Sequence, residues 1–346
     1  MGRAPFEIGG ISIAPGERQN VSLPLSVMSN HTPMNLPIHV AHGKREGPTM
    51  FVSAAIHGDE VVGVEIVRRL LSGKVLNDIA GTALMVPIVN AFGFIGHSRY
   101  LPDRRDLNRS FPGSATGSLA AQLAHLFLTQ VVGRSDVGID LHTAAIHRSN
   151  LPQIRVDTTD ERALQMAMAF APPLLKHATL RQGSLRDAAG ARGVPVIVYE
   201  CGEALRFDEV SIRVGVQGVI RTMTSLGMLR RRRQTTNTPP KVLISDQSHW
   251  LRASDGGIFR AYRTIGHHVA ADDLIGVISD PFGETQHEVR SPIAGLIIGR
   301  TNVPAVNQGD ALFHIAIIRN LDAVQEGARL DIRLEPQLLE DEDEIL

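Results

Sequence analysis

Between residues 48 and 229, short apolar runs alternate with segments whose apolar residues recur at helical spacing. Four of the runs are predicted to be buried strands, at 50–56, 82–90, 136–141 and 195–199. Helices are predicted after Asp59, after an N-cap at Ser118, near 160–171 with a capping box formed by Thr158 and Glu161, and from Ile212 to Leu226. Strands that alternate with helices favour an α/β fold with a largely buried sheet.

The regions on either side of this alternation have a different pattern. Residues 1–45 hold short apolar pieces among Gly, Pro and Asn, which suits an amino-terminal β segment. After the α/β domain at 46–232, a segment without periodicity at 233–240 is predicted to be a linker. Residues 241–346 contain short apolar runs between Gly, Pro and Asp clusters and end in an acidic tail, which indicates a small all-β domain.

Composition excludes several classes of protein. With 35 basic and 36 acidic residues the formal net charge is -1, so we expect no general attraction to nucleic acid or to an acidic membrane surface. A single cysteine, Cys201, cannot form an internal disulfide or a multi-cysteine metal site. The longest apolar stretch, 83–96, is too short to span a bilayer, and the chain begins without a signal-type stretch. We therefore expect a cytoplasmic protein with no membrane partner.

Three residues could form a metal site. His57 and Glu60 stand in a His-Gly-Asp-Glu turn directly after a predicted strand, and His142 ends another. A catalytic zinc site combines such nitrogen and carboxylate ligands, usually three of them, and keeps one position open for water. The turn alone also fits a capping or surface role, and His142 alone fits a hydrogen-bonded core histidine. Zinc binding is predicted only because the three occur together at strand ends.

Further candidate residues surround this set. Glu200 closes the strand at 195–199, where a charged side chain is costly unless it is paired, solvated or used, and it is the natural general base. Asn108 and Arg109 lie side by side in the segment 106–113, and an amide beside a guanidinium fork suits a substrate carboxylate or a developing oxyanion. Arginines at 99, 104 and 105 precede that segment.

Four motifs, taken together, resemble a known family: HGDE (57–60), DLNRSFPG (106–113), DLHT (140–143) and YECG (199–202). Over about 48–229 the chain is similar to the succinylglutamate desuccinylase and aspartoacylase group of zinc carboxypeptidase-like enzymes. The resemblance implies a zinc carboxypeptidase-like mixed sheet flanked by helices. It also implies one zinc per chain, held by His57, Glu60 and His142, with Glu200 as the base.

The same resemblance assigns roles to four other residues. It implies that Asn108 and Arg109 hold a substrate carboxylate, that Arg99 polarises the scissile carbonyl, and that Asp106 orients His57. The stretch from Arg99 to Asn108 looks longer than in aspartoacylase itself, so Arg104 or Arg105 stay alternatives to Arg99.

The carboxy-terminal region, especially 291–315, resembles the barrel-sandwich domain of this family, which is similar to biotinyl and lipoyl carriers. A carrier needs a lysine at a hairpin tip, and the only lysine beyond residue 240 is Lys241, at the start of the region. We therefore expect a structural or access-restricting domain beside the cleft.

These observations together predict a zinc-dependent amidohydrolase that removes an N-acyl group from a small amino acid or related amine by metal-activated water. The alternative is a zinc carboxypeptidase acting on short peptides. A second alternative is a non-catalytic protein that binds a small ligand. The expected partner is a small N-acyl substrate, not nucleic acid or membrane, and the expected assembly is a homo-oligomer.

Overall fold

The structure, a computed structural model, describes residues 3–230 and 242–319. The predicted linker at 233–240, Lys241 and the acidic tail lie outside the described residues. The helices are α1 (Val62–Ser72), α2 (Ala91–Ile95), α3 (Leu119–Gln130), α4 (Glu161–Phe170), α5 (Leu185–Gly190) and α6 (Glu209–Ser225). The strands of the first 230 residues are β1 (Phe6–Ile8), β2 (Ile11–Ile13), β3 (Arg18–Val27), β4 (Pro33–His42), β5 (Arg45–Ala54), β6 (Ala80–Val86), β7 (Val137–Ala144), β8 (Arg148–Val156), β9 (Leu174–His177) and β10 (Val196–Glu203). Those that follow are β11 (Leu243–Ser245), β12 (Gln247–Arg252), β13 (Gly257–Ala261), β14 (His268–Val269), β15 (Leu274–Ser279), β16 (Gln286–Arg290), β17 (Gly295–Thr301), β18 (Ala305–Val306) and β19 (Ala311–Ile317).

A large mixed sheet forms the centre of the protein, with the strand order β12-β19-β17-β8-β10-β7-β5-β6-β4-β3. The central strands β10, β7, β5 and β6 are mutually parallel, and the strands that follow on either side in this order pair antiparallel. Strand β9 lies off this order and pairs parallel with both β8 and β11. Helices cover both faces. The predicted fold class, an α/β mixed sheet flanked by helices with a carboxy-terminal β region, is confirmed.

The alternation of side chains along β5 shows why this sheet is buried on both faces. Met50 and Val52 point into a core shared with α1, α4 and α6, whereas Phe51 points into a core shared with α3 and α5. Phe51 also packs edge-on against Phe127 of α3, with ring centroids 5.8 Å apart. The consecutive apolar residues Met50, Phe51 and Val52 are therefore buried on both faces of the strand only because helices cover both faces of the sheet.

Of the two helix N-caps predicted from the sequence, Ser118 and Thr158, the structure confirms one. The prediction for Ser118 is confirmed, because its side chain accepts a hydrogen bond from the Ala121 N–H at the start of α3. The prediction for Thr158 is wrong. Asp160 caps α4 by accepting from the Ala163 N–H, and the Thr158 hydroxyl lies 2.9 Å from His177 Nδ1. An Asp side chain is as good an N-cap as the hydroxyl of Ser or Thr.

The carboxy-terminal strands belong to two sheets, one of their own and the main sheet. Strands β13, β15, β16 and β18 form a separate antiparallel sheet over a small core that includes Phe259 and Phe313, whose rings meet edge-on at 5.6 Å. Strands β12, β17 and β19 continue the main sheet, because β17 pairs antiparallel with β8 and places Gly299 opposite Asn150. The carboxy-terminal unit is thus joined edge to edge to the main sheet.

The opposite edge of the main sheet is built by the predicted amino-terminal β segment. There β3 and β4, each ten residues long, pair antiparallel, and β4 also pairs with β6. Within the described residues, no helix is both long and apolar enough to cross a membrane. The domain boundaries proposed above stay predictions.

Candidate active site

His57, Glu60 and His142 meet at the carboxyl ends of β5 and β7. One ligand atom from each can be chosen so that all lie within 4.8 Å of one another, and all three side chains are buried. Glu60 lies between the histidines: its Oε1 is 2.7 Å from His57 Nδ1 and its Oε2 is 2.7 Å from His142 Nδ1. The turn after β5 and the end of β7 therefore bring together the three residues that the sequence analysis selected as ligands.

A carboxylate lies behind each histidine. His57 Nε2 is 3.1 Å from Asp106 Oδ1, and His142 Nε2 is 2.6 Å from Asp140 Oδ2. Each ring is held by its Nε2 and turns its Nδ1 toward Glu60. Histidines that bind metal in proteins are usually oriented in this way by a carboxylate on the other ring nitrogen. Asp106 was predicted from the resemblance, but Asp140 was missed, although its place two residues before His142 puts both on one face of β7.

Charge is balanced inside this cluster. Burial by itself would raise the pKa of the Glu60 carboxyl, but the adjacent His57 and His142 outweigh it and hold that pKa well below its usual range. Burial would also lower the pKa of His142, yet the nearby Asp140 and Glu60 carboxylates raise it well above its ordinary value. The pocket thus favours an ionised carboxylate next to positive charge. Two imidazoles and one carboxylate are a ligand set that zinc accepts, so these residues fit that ion.

Arg99 is next to this cluster. One terminal nitrogen of its guanidinium lies 3.3 Å from Glu60 Oε1, and the other donates to Asp106 Oδ2 at 3.0 Å. Arg99 lines the cleft that opens beside the cluster, whereas Arg104 and Arg105 are exposed and do not line it. Of the three arginines considered for polarising the scissile carbonyl, Arg99 is therefore the one whose position in the cleft favours that role.

Glu200 reaches the same cleft from the neighbouring strand. Strand β10 runs parallel to β7 with Glu200 in register with His142, so both side chains end at one edge of the sheet. Each oxygen of the carboxylate has a partner: Arg155 NH1 lies 3.1 Å from Oε1, and the Asn150 side chain donates to Oε2 at 3.2 Å. Both partners come from β8, which the sequence analysis did not find.

Asn108 and Arg109 lie in a short turn on another wall of the cleft. The Asn108 N–H donates to Asp106 Oδ1 at 2.8 Å, and the Asn108 side-chain oxygen accepts from the Leu185 N–H at 2.8 Å. The Arg109 guanidinium donates to the Asn108 carbonyl. One amide orientation is thereby fixed for Asn108, with its NH₂ group left as the donor end.

The cleft itself has a volume of about 370 Å³, and the carboxy-terminal unit supplies part of its wall. That part is Trp250 of β12, the only tryptophan of the chain. Its ring stacks on His314 with centroids 4.2 Å apart, and the Arg148 guanidinium lies 5.7 Å from its centroid. No local sequence signal marks Trp250, because only the pairing of β17 with β8 brings it to the cleft.

Comparison with known proteins gives relatives along most of the chain. The N-alpha-acetyl-L-2,4-diaminobutyric acid deacetylase of Halomonas elongata is 28% identical over 292 residues, which are 81% of this chain and 85% of that protein. The product-bound structure of an ectoine utilization protein from Ruegeria pomeroyi superposes with a TM-score of 0.77 at 23% identity, covering 87% of this chain and 95% of that one. A succinylglutamate desuccinylase from Silicibacter sp. gives a TM-score of 0.78, also at 23% identity and with the same coverage. The two structures establish a shared fold.

The sequence model of one catalytic domain settles the family. The succinylglutamate desuccinylase/aspartoacylase catalytic domain matches residues 46–226, which is about half of the chain. This range contains the buried cluster around Glu60, the turn with Asn108 and the strand with Glu200. The resemblance noted in the sequence is therefore confirmed, and the chain belongs to the succinylglutamate desuccinylase/aspartoacylase family.

Proposed function

We propose that the protein is a zinc-dependent hydrolase that removes an N-acyl group from a small amino acid or related amine. One observation carries the proposal: the carboxylate of Glu200 opens into the same cleft as the buried cluster of His57, Glu60 and His142. A metal-ligand set with a separate carboxylate beside it is the arrangement that metal-assisted hydrolysis requires. The deacetylase relative from Halomonas elongata supports an amide substrate.

Zinc is the metal that we propose for this site. His57, Glu60 and His142 would hold it, and Asp106 and Asp140 would keep the two imidazoles in place. When bound, zinc would lower the pKa of a coordinated water and polarise the acyl carbonyl.

The residues around that site would move the protons. Glu200 would accept a proton from the attacking water and pass it to the leaving amine, as one general base that later acts as the acid. Asn150 and Arg155 would hold its two oxygens so that the carboxylate stays aimed into the cleft. Arg99, close to Glu60 and Asp106, would donate to the acyl oxygen as negative charge develops there.

Asn108 and Arg109 would bind the carboxylate of the amino acid. Both line the cleft, and the hydrogen bond from the Leu185 N–H to the Asn108 oxygen leaves the amide NH₂ as a donor. Fixing that carboxylate would hold the acyl group in register with Glu200, which makes the attack effectively intramolecular. A cleft of about 370 Å³ is of the size that small molecules occupy, which fits a small N-acyl amino acid. The deacetylase relative favours deacylation over the alternative of a carboxypeptidase.

The test combines metal content with amine release from a panel of N-acyl amino acids. We expect about one zinc per chain, lost in His142→Ala. Glu200→Gln should keep the metal and lose about 10²-fold to 10⁴-fold in turnover. Glu203→Gln, three residues along the same strand and outside the cleft lining, is the matched control. Wild-type turnover in Glu200→Gln would move the base elsewhere, and absence of hydrolysis across the panel would favour a non-catalytic binding protein.

A further inference from the structure

Two segments that are far apart in the chain lie against each other in the wall of the cleft. The first is the turn 107–111, which carries Asn108 and Arg109. The second, 178–186, runs from the end of β9 into the first turn of α5. It contributes five cleft-lining residues, which are Ala178, Thr179, Arg181, Ser184 and Arg186. The contacts between the two segments show what the second one does for Asn108 and Arg109.

Two backbone N–H groups join the segments. The Leu185 N–H, in the first turn of α5, donates to the Asn108 side-chain oxygen at 2.8 Å. The Phe111 N–H donates to the Gly183 carbonyl at 3.1 Å. The first N–H groups of a helix have no partner within the helix, and the Asn108 amide is the acceptor for one of them. Each segment therefore satisfies a backbone donor of the other.

Apolar side chains from both segments are packed into one core. Leu107 and Phe111 of the turn and Leu185 of α5 are at most 4% exposed, and all three belong to the core shared with α3. A protein core is close-packed, so side chains anchored in it hold the backbone that carries them in place. The polar contacts between the segments are thus held between apolar anchors.

Gly183 is where the backbones of the two segments approach each other most closely. Its φ is +80°, in the left-handed region. A Cβ on Gly183 would lie 2.9 Å from the Arg109 carbonyl oxygen and 3.3 Å from the Arg109 carbonyl carbon. Glycine adopts this backbone conformation without strain and leaves room for a neighbouring backbone. Only a glycine at position 183 therefore lets the second segment lie this close to Arg109.

We propose that the segment 178–186 is a positioning element for the site that binds the substrate carboxylate, and that it acts through Gly183 and the Leu185 N–H. The inference rests on the proposed function, in which Asn108 and Arg109 bind that carboxylate. The two ends of an Asn amide are similar in shape, and only the oxygen end can accept from the Leu185 N–H. With this hydrogen bond present, the NH₂ end is available to the substrate. Without it, the amide is free to turn its oxygen toward the carboxylate, which the oxygen would repel.

Gly183→Ala tests the close approach. In this variant kcat/KM is measured for N-acetylalanine and for N-ethylacetamide, the matching acylated amine without a carboxylate. The ratio of the first value to the second should fall by about 10-fold or more, because hydrogen bonds to the carboxylate are lost. The zinc content should stay at the wild-type value. Loss of folding alone would lower both kcat/KM values together and leave their ratio unchanged.

Gly193→Ala is the matched control for this variant. Gly193 lies on the other side of α5 and has a similar positive φ of +74°, so alanine causes the same kind of backbone strain there. A Cβ at this position would have no atom of the described chain within 4 Å, and Gly193 does not line the cleft. Gly193→Ala should keep the wild-type ratio. An unchanged ratio in Gly183→Ala would overturn the positioning role of Gly183.

A pair of variants tests the Leu185 N–H. Leu185→Pro removes this N–H, and proline is well accepted at the first position of a helix, which Leu185 occupies after the N-cap Ser184. Leu185→Ala keeps the N–H and also shortens the buried side chain, so it measures the cost of that loss. The ratio of the two kcat/KM values should be about 10-fold or more lower in Leu185→Pro than in Leu185→Ala. Equal ratios in the two variants would show that this N–H does not position Asn108.

Failure of the positioning element and failure of the proposed function give different results. If the wild type hydrolyses N-acetylalanine and N-ethylacetamide equally well, the deacylase stands and the carboxylate site is wrong. If it hydrolyses neither, binding decides, because Trp250 fluorescence reports on this cleft. Alanine should then change the emission at a lower concentration than ethylamine does in the wild type and in Gly193→Ala, but not in Gly183→Ala. Equal binding of the two amines by the wild type, or binding of neither, would overturn the inference independently of catalysis.

Discussion

The Nε2 atom of His142 lies 2.6 Å from the Oδ2 atom of Asp140, and the other oxygen of Asp140 accepts a hydrogen bond from the Ser53 hydroxyl at 2.8 Å. The carboxylate is thus fixed from one side and fixes the imidazole on the other. Asp140→Asn should weaken zinc binding by about 10-fold to 100-fold, because an amide holds the ring less firmly and makes it a weaker ligand. Competition with a chelator measures the affinity.

The control for this substitution is Asp136→Asn. Asp136 stands just before the same strand and accepts a hydrogen bond from the Thr49 N–H at an exposed position. The Asp136→Asn variant should bind zinc with the same affinity as the wild-type protein. Equal zinc affinity of Asp140→Asn and the wild type would mean that Asp140 does not support the metal ligand.

Recognition of the carboxylate of the amino acid is tested at Arg109. Arg109→Ala should lower kcat/KM for an acylated amino acid. The decrease should correspond to a loss of about 2 kcal/mol or more of transition-state stabilisation, as expected for the loss of a charge-assisted hydrogen bond. The loss should be much smaller for the matching acylated amine, which has no carboxylate to bind. The measured quantity is the ratio of the two kcat/KM values. If the ratio is the same in both proteins, Arg109 is structural and Arg181 is the next candidate, since it also lines the cleft.

The close approach of two strands at Gly299 predicts an effect on Glu200. A Cβ at Gly299 would lie 3.0 Å from the Asn150 side-chain oxygen and 3.3 Å from His314 Cβ, so Gly299→Ala should displace Asn150 from Glu200. We expect a lower kcat with unchanged zinc content and little change in KM.

A double substitution separates this effect from general loss of stability. Asn150→Ala should lower kcat in the same way, and adding Gly299→Ala should then change little, because the two act through one contact. Gly256→Ala is the control, since a Cβ there meets its nearest neighbour only at 3.6 Å. Additive losses in the double variant would show that Gly299 acts through something other than Asn150.

His314 predicts a dependence of stability on pH. Burial and then the positive Lys176 and Arg155 lower its pKa to about 3, against 6.5 as the ordinary value. Between these values the unfolded chain binds a proton that the folded chain does not. The free energy of unfolding should therefore be highest above pH 6.5 and fall as the pH decreases toward 3, by up to about 1.4 kcal/mol per pH unit from this residue.

Comparison with His314→Asn isolates the contribution. Denaturant unfolding followed by Trp250 fluorescence should give a difference in free energy between the two proteins that shrinks or reverses from pH 7 to pH 5. The probe is local, because the Trp250 and His314 rings are stacked. A difference that stays constant over that range would show that the pKa of His314 is the same in the folded and the unfolded chain.

The sequence was most informative where a candidate functional residue lies at the end of a strand or directly after it. His57 follows β5, His142 lies near the end of β7 and Glu200 near the end of β10, and these three strands are adjacent and parallel. Parallel neighbours bring their carboxyl ends to one edge, so residues far apart in the chain can be placed together from a strand pattern alone. The family and the fold class followed from the same segments.

The sequence was least informative about β8. Its residues mix apolar side chains with Asn150, Pro152, Gln153 and Arg155, so neither the alternating nor the continuous apolar pattern marks it. Yet this strand pairs with β10 and supplies both partners of Glu200. Such contacts depend on tertiary pairing across some fifty residues, for which local periodicity carries no information. The cytoplasmic location and the homo-oligomer also stay predictions.

The pairing of β8 has a consequence for how the enzyme can be dissected. One half of its outer edge pairs with β9, and the other half, from Arg148 to Asn150, pairs with β17 of the carboxy-terminal unit. A chain cut after residue 226, where the family match ends, would leave those backbone groups open. Open strand edges pair with other chains, so the shortened protein should aggregate. A transfer of the hydrolase domain to another scaffold would therefore have to include strands β12, β17 and β19.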